Sequence, residues 1–304
     1  APDNAEGLFY LAEAHYRGMA REKAETFYRK AIATNPKYVP AQNNLANMLL
    51  TYGNPKKAAE LYKKVIKLSP KDGDLHYNLG VCHYRMGQLQ PAKVAYGKAI
   101  KRQKNKDRLT RTHNNLGVVL GRLGRKRQML KHFSAALKLT PKYAPAIFNQ
   151  GVALLKVGQL DLAIKRLSAA VAINPSMADA HRLLGEAYMR KGKVMAARMS
   201  LKRALELRPG DSHARRVMGL TLAHQGDSER AIRQLEAAVR SAPKDALSRL
   251  VLAQLYASKG KTAKAIDQYK QALKAAPKNA DVHFNYGELL YAKRAPEALY
   301  EKWK

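Results

Sequence analysis

The chain has 304 residues and carries 56 Lys and Arg against 23 Asp and Glu, a formal net charge of +33 at pH 7. That excess attracts acidic and polyanionic partners and says nothing of the fold. Cys82 is the one cysteine, which excludes an intramolecular disulfide framework and any cysteine-based zinc site, and the longest uncharged run, residues 38–55, holds four Asn, two Pro and a Gly and would not enter a bilayer as a helix. The opening Ala1-Pro2-Asp3, without an initiator Met or a basic-then-apolar leader, leans toward an exported, processed chain and fits a trimmed one equally well.

The elements follow from a period. Pro36, Pro70, Pro141, Pro175, Pro209, Pro243 and Pro277 stand 34 apart, apart from one interval of 71. Thirty-four residues is the length of a helix–turn–helix unit. With Pro at position 32, units run 5–38, 39–72, 73–109 (with a three-residue insertion), 110–143, 144–177, 178–211, 212–245 and 246–279, and a partial ninth covers 280–304. Position 8 is small throughout, from Ala12 to Gly287, position 20 is Ala in seven units, and position 24 is Tyr, Phe or Leu, so a hole and a knob recur on facing helices. Gly53, Gly87, Gly124, Gly158, Gly192, Gly226 and Gly260 occupy position 15, where a left-handed residue ends the first helix. One hairpin cannot bury its apolar face, so neighbours must stack into a continuous core.

Taken in chain order, the first helices present one face at positions 2, 5, 6, 9, 12 and 13. Unit 1 offers Arg17 at position 13. Unit 2 adds Asn43, Asn44 and Asn47; unit 3 adds Tyr77, Asn78, Tyr84 and Arg85, with Cys82 as a buried structural thiol. The insertion follows in the stretch KRQKNKDRLTR, residues 101–111, with Lys101, Arg102, Lys104, Lys106, Arg108 and Arg111 against Asp107. Lys104 replaces the helix-stopping Pro, which predicts a longer second helix in unit 3 and basic side chains projecting from an extended corner. Unit 4 contributes Asn114, Asn115, Arg122, Arg125, Lys126, Arg127 and Lys131, and unit 5 contributes Phe148, Asn149 and Lys156. Residues 75–160 hold seventeen Lys and Arg and a single acid.

Beyond this point Arg190 continues the position-13 row, and the same face turns apolar through Leu183, Val217, Leu220, Leu247, Leu250 and Val251, a strip suited to a partner helix or a second copy of the chain. His76, His113, His181 and His283 share position 4, toward the paired helix and too far apart for one metal ion. The Gly260-Lys261-Thr262 run lacks the earlier glycine and the strand of a phosphate-binding loop, and reads as an interhelix turn. Trp303 falls at position 24 of the ninth unit, whose second helix is expected to cap the array. No carboxylate pair, nucleophile motif or metal cluster recurs, so the chain reads as a binding protein with neither enzymatic activity nor cofactor.

The Leu-Gly or Leu-Ala at positions 7 and 8, Ala at 20, aromatic or Leu at 24 and Pro at 32 resemble the tetratricopeptide repeat family over essentially the whole chain. The resemblance implies an all-α, right-handed α-solenoid superhelix of stacked antiparallel helix pairs, a single domain over 1–304, with the first helices lining a concave groove. Asn44, Asn78, Asn115 and Asn149 at position 6 resemble the asparagine ladder in the tetratricopeptide superhelix of O-GlcNAc transferase, which holds a bound chain. A carboxamide donates and accepts, so such a row can pair with any extended backbone; it can equally bridge adjacent units. Asn47, Asn78 and Arg111 match part of the family's clamp for a C-terminal carboxylate, whereas Asn43 and Asn115 stand where lysine and arginine belong. The expected partner is an acidic peptide segment of another protein; the alternative is an anionic polysaccharide, a membrane head-group surface or nucleic acid held by the basic residues of units 3 to 5.

Overall fold

The computed structural model describes the backbone of residues 4–301 and the side chains of residues 4–293. The Ala1-Pro2-Asp3 opening and Trp303 lie outside the described residues. Seventeen helices are present among them, and eight of the nine first helices begin at the residue the period predicts.

The chain divides into two compact units, Ala1–Ala153 and Leu154–Lys304. The first holds α1 (Ala5–Arg17), α2 (Arg21–Thr34), α3 (Val39–Thr51), α4 (Pro55–Leu68), α5 (Gly73–Arg85), α6 (Leu89–Ile100), α7 (Lys106–Arg122), α8 (Lys126–Leu139) and most of α9 (Ala144–Lys156). The second holds α10 (Leu160–Ile173), α11 (Ala178–Arg190), α12 (Val194–Leu207), α13 (Ser212–His224), α14 (Ser228–Ser241), α15 (Ala246–Ser258), α16 (Thr262–Ala275) and α17 (Ala280–Glu301). Within each unit, odd and even helices pair as hairpins and each hairpin packs on the next.

The hairpins close where the first helix has no side chain. A Cβ on Gly80 would lie 2.7 Å from the Tyr96 ring, on Gly117 2.6 Å from Phe133, on Gly185 2.5 Å from Leu201 and on Gly219 2.7 Å from Leu235. The position-24 knob therefore sits directly on position 8, and the position-20 alanines are fully buried beside it. Unit 4 breaks the pattern with Met129 at position 20, and Gly121 makes room: a Cβ there would meet Met129 Sδ at 2.7 Å. All seven position-15 glycines have φ between +67° and +82°. In the first hairpin Met19 takes that place at φ +58°, the one left-handed residue other than glycine among those described.

The insertion behaves differently from expectation. α6 is two residues shorter than the other second helices, and the added turn belongs to α7, which starts four residues ahead of the period. The backbone N–H groups of Arg102 and Gln103 both donate to Ala99 O, closing α6 without a proline. Asn105 then caps α7, its side chain accepting from the N–H of Asp107 and of Arg108 at 3.0 Å. Gln103 fills the space above Gly73, donating to Asp74 Oδ1 at 3.0 Å and accepting from Thr112 Oγ1 at 2.6 Å. A capped start with an acid in its first turn outweighs the missing stop.

The ninth unit also departs from expectation. α17 runs unbroken through Glu301 where a turn and a second helix were expected, because position 15 is Arg294 and supplies no left-handed glycine.

Two outcomes follow from this packing. Gly185→Ala forces Leu201 aside and lowers stability by about 1–3 kcal/mol, whereas Gly287→Ala at the same register, with nothing within 4 Å, is neutral or stabilising by up to about 1 kcal/mol; urea unfolding of the two variants checks the contrast. Met19→Gly relieves the left-handed strain and raises the thermal midpoint of the N-terminal unit, with a gain of up to about 1 kcal/mol after the loss in chain entropy.

Candidate functional site

In the first unit, α3, α5, α7 and α9 bring the four position-6 asparagines into one row, each half-buried. Every one donates to the preceding hairpin. Asn44 Nδ2 reaches Glu13 Oε1 at 2.8 Å, Asn78 Nδ2 reaches Asn47 Oδ1 at 3.2 Å, Asn115 Nδ2 reaches the Tyr77 hydroxyl at 3.1 Å, and Asn149 Nδ2 reaches Asn114 Oδ1 at 2.9 Å. Glu13 also accepts from the Tyr28 hydroxyl and Asn47 from the Tyr62 hydroxyl, so the knobs of the core hold the acceptors of the row. Asn43 and Asn114 donate to Asn44 and Asn115, at 3.3 and 3.2 Å.

Bridging between hairpins is thus an observed role of these amides. It leaves each carboxamide its second N–H and spare oxygen lone pairs.

Two clefts open along the row. One, of about 420 Å³, is lined by Asn43, Asn47, Asn78 and Tyr77 with Asp72, Asp74, Gln103, Arg108 and Arg111. The other, of about 360 Å³, is lined by Asn114, Asn115 and Asn149 with Val81, Tyr84, Arg85, Tyr96 and Val118. Arg111, part of the basic stretch, lines the same cleft as Asn47 and Asn78, with which it was expected to form part of a carboxylate clamp; Asn44 and Phe148 are half-buried and line neither cleft.

The position-13 cations end the first helices in three ways. Arg85 donates to the carbonyl of Leu50 at 2.5 Å, satisfying the C-terminus of α3. Arg122 lies over the Tyr84 ring at 5.0 Å. Arg190 pairs with Glu186 at 2.8 Å, and Lys156 is exposed.

The basic residues are not equivalent either. Arg108 pairs with Asp74, and Arg102 donates to the carbonyl of Pro70 at 3.0 Å. Lys101, Lys104, Lys106, Arg125, Lys126, Arg127 and Lys131 are exposed, and among the described residues none has a carboxylate within 4 Å.

The expected apolar strip of the second unit does not form an open surface. Val217 and Leu250 are core residues, Leu183, Leu220 and Val251 are half-buried, and Leu247 alone is exposed. Val217, Leu250 and Val251 pack into the hydrophobic clusters of their hairpins.

Sequence reasoning missed what lies beside them. Arg182 reaches Asp211 at 3.5 Å and Arg216 reaches Asp245 at 3.1 Å, each a position-5 arginine on the aspartate that caps the next first helix. The signal was available as the repeated Arg at position 5 and Asp at position 34.

Family models described as tetratricopeptide repeat match residues 49–111, 110–143, 148–212, 183–246, 216–280 and 250–298. The chain belongs to the tetratricopeptide repeat family. Human protein O-mannosyl-transferase TMTC3 is 25% identical over 150 residues, which cover 49% of this chain and 12% of that protein. Among solved structures, the APC/C hetero-tetramer Cut9–Hcn1 aligns with TM-score 0.67 at 14% identity over 89% of this chain and 52% of that one. The C-terminal part of a tetratricopeptide protein of Cytophaga hutchinsonii aligns at 0.60 with 19% identity, covering 79% and 97%, and pilF of Pseudomonas aeruginosa at 0.61 with 20% identity, covering 69% and 94%. These likenesses establish the fold, which generally serves as a non-catalytic scaffold for protein partners.

Packing takes up the polar position-4 side chains of this tetratricopeptide array. His76, His181 and His283 at position 4 donate through Nε2 to the carbonyls of Pro70, Pro175 and Pro277 at 3.2, 3.1 and 2.8 Å. Gln42, Arg215 and Arg249 do the same for Pro36, Pro209 and Pro243. The slot thus reaches back to the preceding corner. Arg215 and Arg249 also reach their paired helices, donating to Gln234 Oε1 at 3.3 Å and Gln268 Oε1 at 2.8 Å, and His113 turns to its paired helix alone, its Nδ1 2.9 Å from that of His132. Cys82 is buried, and burial pushes its thiol up to about 12, so it stays protonated and unreactive. Gly260-Lys261-Thr262 is the turn between α15 and α16.

Burial, then the charge of His113 and of Lys131, holds His132 down at about 4, and burial lowers His113 as well. A His whose folded pKa is depressed binds more protons when unfolded, so its stabilising effect is full above about pH 6.5 and is lost as pH falls toward 4. His76 and His213 are lowered too and act in the same direction. The thermal midpoint is therefore expected to drop between pH 6.5 and pH 4.5, and His132→Gln to flatten that drop; melting curves across the range check it.

Proposed function

We propose that this chain is a non-catalytic interaction scaffold whose first-helix face, over hairpins 2 to 5, holds an extended acidic segment of a partner protein. The observation that carries the reading is the pair of clefts lined by carboxamides, Asn43, Asn47 and Asn78 in one and Asn114, Asn115 and Asn149 in the other, and edged by Arg85 and Arg111, with Arg108 held by Asp74 beside Asp72. Side-chain amides suit a main chain of any sequence, whereas the arginines select carboxylates bidentately. Each amide–peptide bond contributes on the order of 1 kcal/mol, so the row gives modest affinity and the cations give preference. The resemblance of the position-6 asparagines to a peptide-holding ladder points the same way.

A second reading takes the exposed Arg125, Lys126, Arg127 and Lys131 as a seat for an anionic polymer, favoured by their lack of carboxylate neighbours among the described residues. Salt separates the two. Binding through several released counterions weakens steeply with ionic strength, and a mixed amide and arginine groove does so far less.

The test is a displayed library of extended peptides selected on the protein, with heparin as the polyanion probe. Acidic peptides are expected to be enriched, to bind without gaining helix, and to lose at least about tenfold in affinity in Asn44→Ala/Asn78→Ala/Asn115→Ala/Asn149→Ala, with circular dichroism and melting as the control for the lost bridges. Selected peptides that bind this variant unchanged overturn the groove reading. Heparin binding that survives Arg125→Glu/Lys126→Glu/Arg127→Glu or ignores salt overturns the second.

A further inference from the structure

Four second helices carry charge at both positions 18 and 22, Lys56 and Glu60, Arg127 and Lys131, Asp161 and Lys165, Glu229 and Arg233, and three others carry Glu22 and Thr26, Gln90 and Val94, Ala263 and Asp267. Hairpin 6 replaces both with methionine. Met195 and Met199, one turn apart on α12, are 63% and 72% exposed, far more than packing within the repeat requires. With Met218 and Leu222 of α13 they line a cleft of about 350 Å³ between α12 and α14.

Four cations rim that cleft: Arg198 and Lys202 on the α12 side, Arg230 and Arg233 on the α14 side. Arg230 is tied to Asp227, and Lys202 stands 4.0 Å from Glu206. Arg198 donates to the neutral Gln225 at 3.0 Å. Among the described residues neither Arg198 nor Arg233 has a carboxylate within 4 Å. An apolar floor flanked on both sides by cations is the complement of one object: a helix with an apolar stripe and acidic flanks.

We propose that the α12–α14 cleft is a second docking site for an acidic amphipathic helix of a partner protein. A helix laid in the cleft sets apolar residues at i and i+4 on Met195 and Met199, whose spacing is the same, and places its acids toward Arg198 and Arg233. Methionine suits such a floor because its unbranched, polarizable chain repacks around different apolar side chains. The recess favours a helix over a lipid surface, which engages projecting apolar tips in place of a concave floor. The site is independent of the groove proposed above, since it uses the second helices of the other compact unit.

The experiment selects a displayed library of amphipathic helices, with varied apolar spacing and acidic flanks, on the intact protein. Enriched peptides are measured by fluorescence anisotropy on the wild type, Met195→Gln/Met199→Gln and Arg198→Gln/Arg233→Gln, of which Arg198 alone is half-buried and the rest exposed, and the variants are checked for unchanged circular dichroism. The proposal expects saturable binding, a gain of helical signal in the peptide, and at least a tenfold weakening in each variant. Failure to enrich any helix, enriched peptides that bind both variants like the wild type, or scrambled peptides that bind equally would overturn it. Vesicles of phosphatidylcholine with 30% phosphatidylglycerol form the second arm; methionine-dependent vesicle binding in the absence of peptide binding assigns the patch to a membrane and also overturns the proposal.

Discussion

The contact between position 8 and position 24 governs the rest of the molecule, because the separation of paired helices is set by what stands between them. With glycine or alanine at 8, a Tyr, Phe or Leu ring or branch can rest on the backbone itself, and a methyl group added at Gly185 would already lie 2.5 Å from Leu201. Close-packed interiors do not absorb such overlap without moving. The helix spacing that results decides which side chains of one hairpin reach the next, and therefore where the amides, arginines and histidines find their partners. Unit 4 illustrates the dependence: when position 20 enlarges to Met129, the compensating space appears at Gly121 on the facing helix.

In the proposed groove, the asparagine row joins bridging between hairpins to recognition in the same atoms. Tyr28 and Tyr62, knobs of the core, donate to Glu13 and Asn47, which in turn accept from Asn44 and Asn78. A ligand approaching this face meets groups already oriented by packing, so little rotamer freedom remains to be lost on binding. The same arrangement makes the row sensitive to substitution, since each amide removed takes one donor from an acceptor on the neighbouring hairpin, although Glu13 and Asn47 keep the hydroxyls of Tyr28 and Tyr62.

Amides predominate at the junctions between hairpins in the first unit, beside the Arg108–Asp74 pair, and the second unit adds arginine–aspartate pairs to the Gln254–Asn285 bridge. Arg182 and Arg216 lie 17% and 15% exposed against the aspartates that cap α13 and α15. Partial burial strengthens such pairs relative to fully solvated ones, and the aspartate's second duty as an N-cap keeps it in place when the arginine moves. The two halves of the chain share a backbone plan and differ in the chemistry their surfaces offer: a row of carboxamides in one, arginine–aspartate pairs and a methionine cleft in the other.

The 34-residue period by itself determined the helices, their starting residues and the glycine turns, because each rests on a local cause: a side chain too small to block a neighbour, a left-handed φ, a proline that ends a helix. It also determined which residues share the asparagine face, since register alone decides that. What register cannot supply is the competition between partners in space. Only the tertiary structure decided that the asparagine nitrogens are spent on neighbouring hairpins, that the position-4 histidines reach back to proline carbonyls, and that Val217 and Leu250 belong to the core. The insertion failed for the same reason in miniature. Its missing proline was visible, but the helix that lengthened was the one whose first turn Asn105 could cap and whose corner Gln103 could fill, and both depend on contacts with Gly73, Asp74 and Thr112 from elsewhere in the chain.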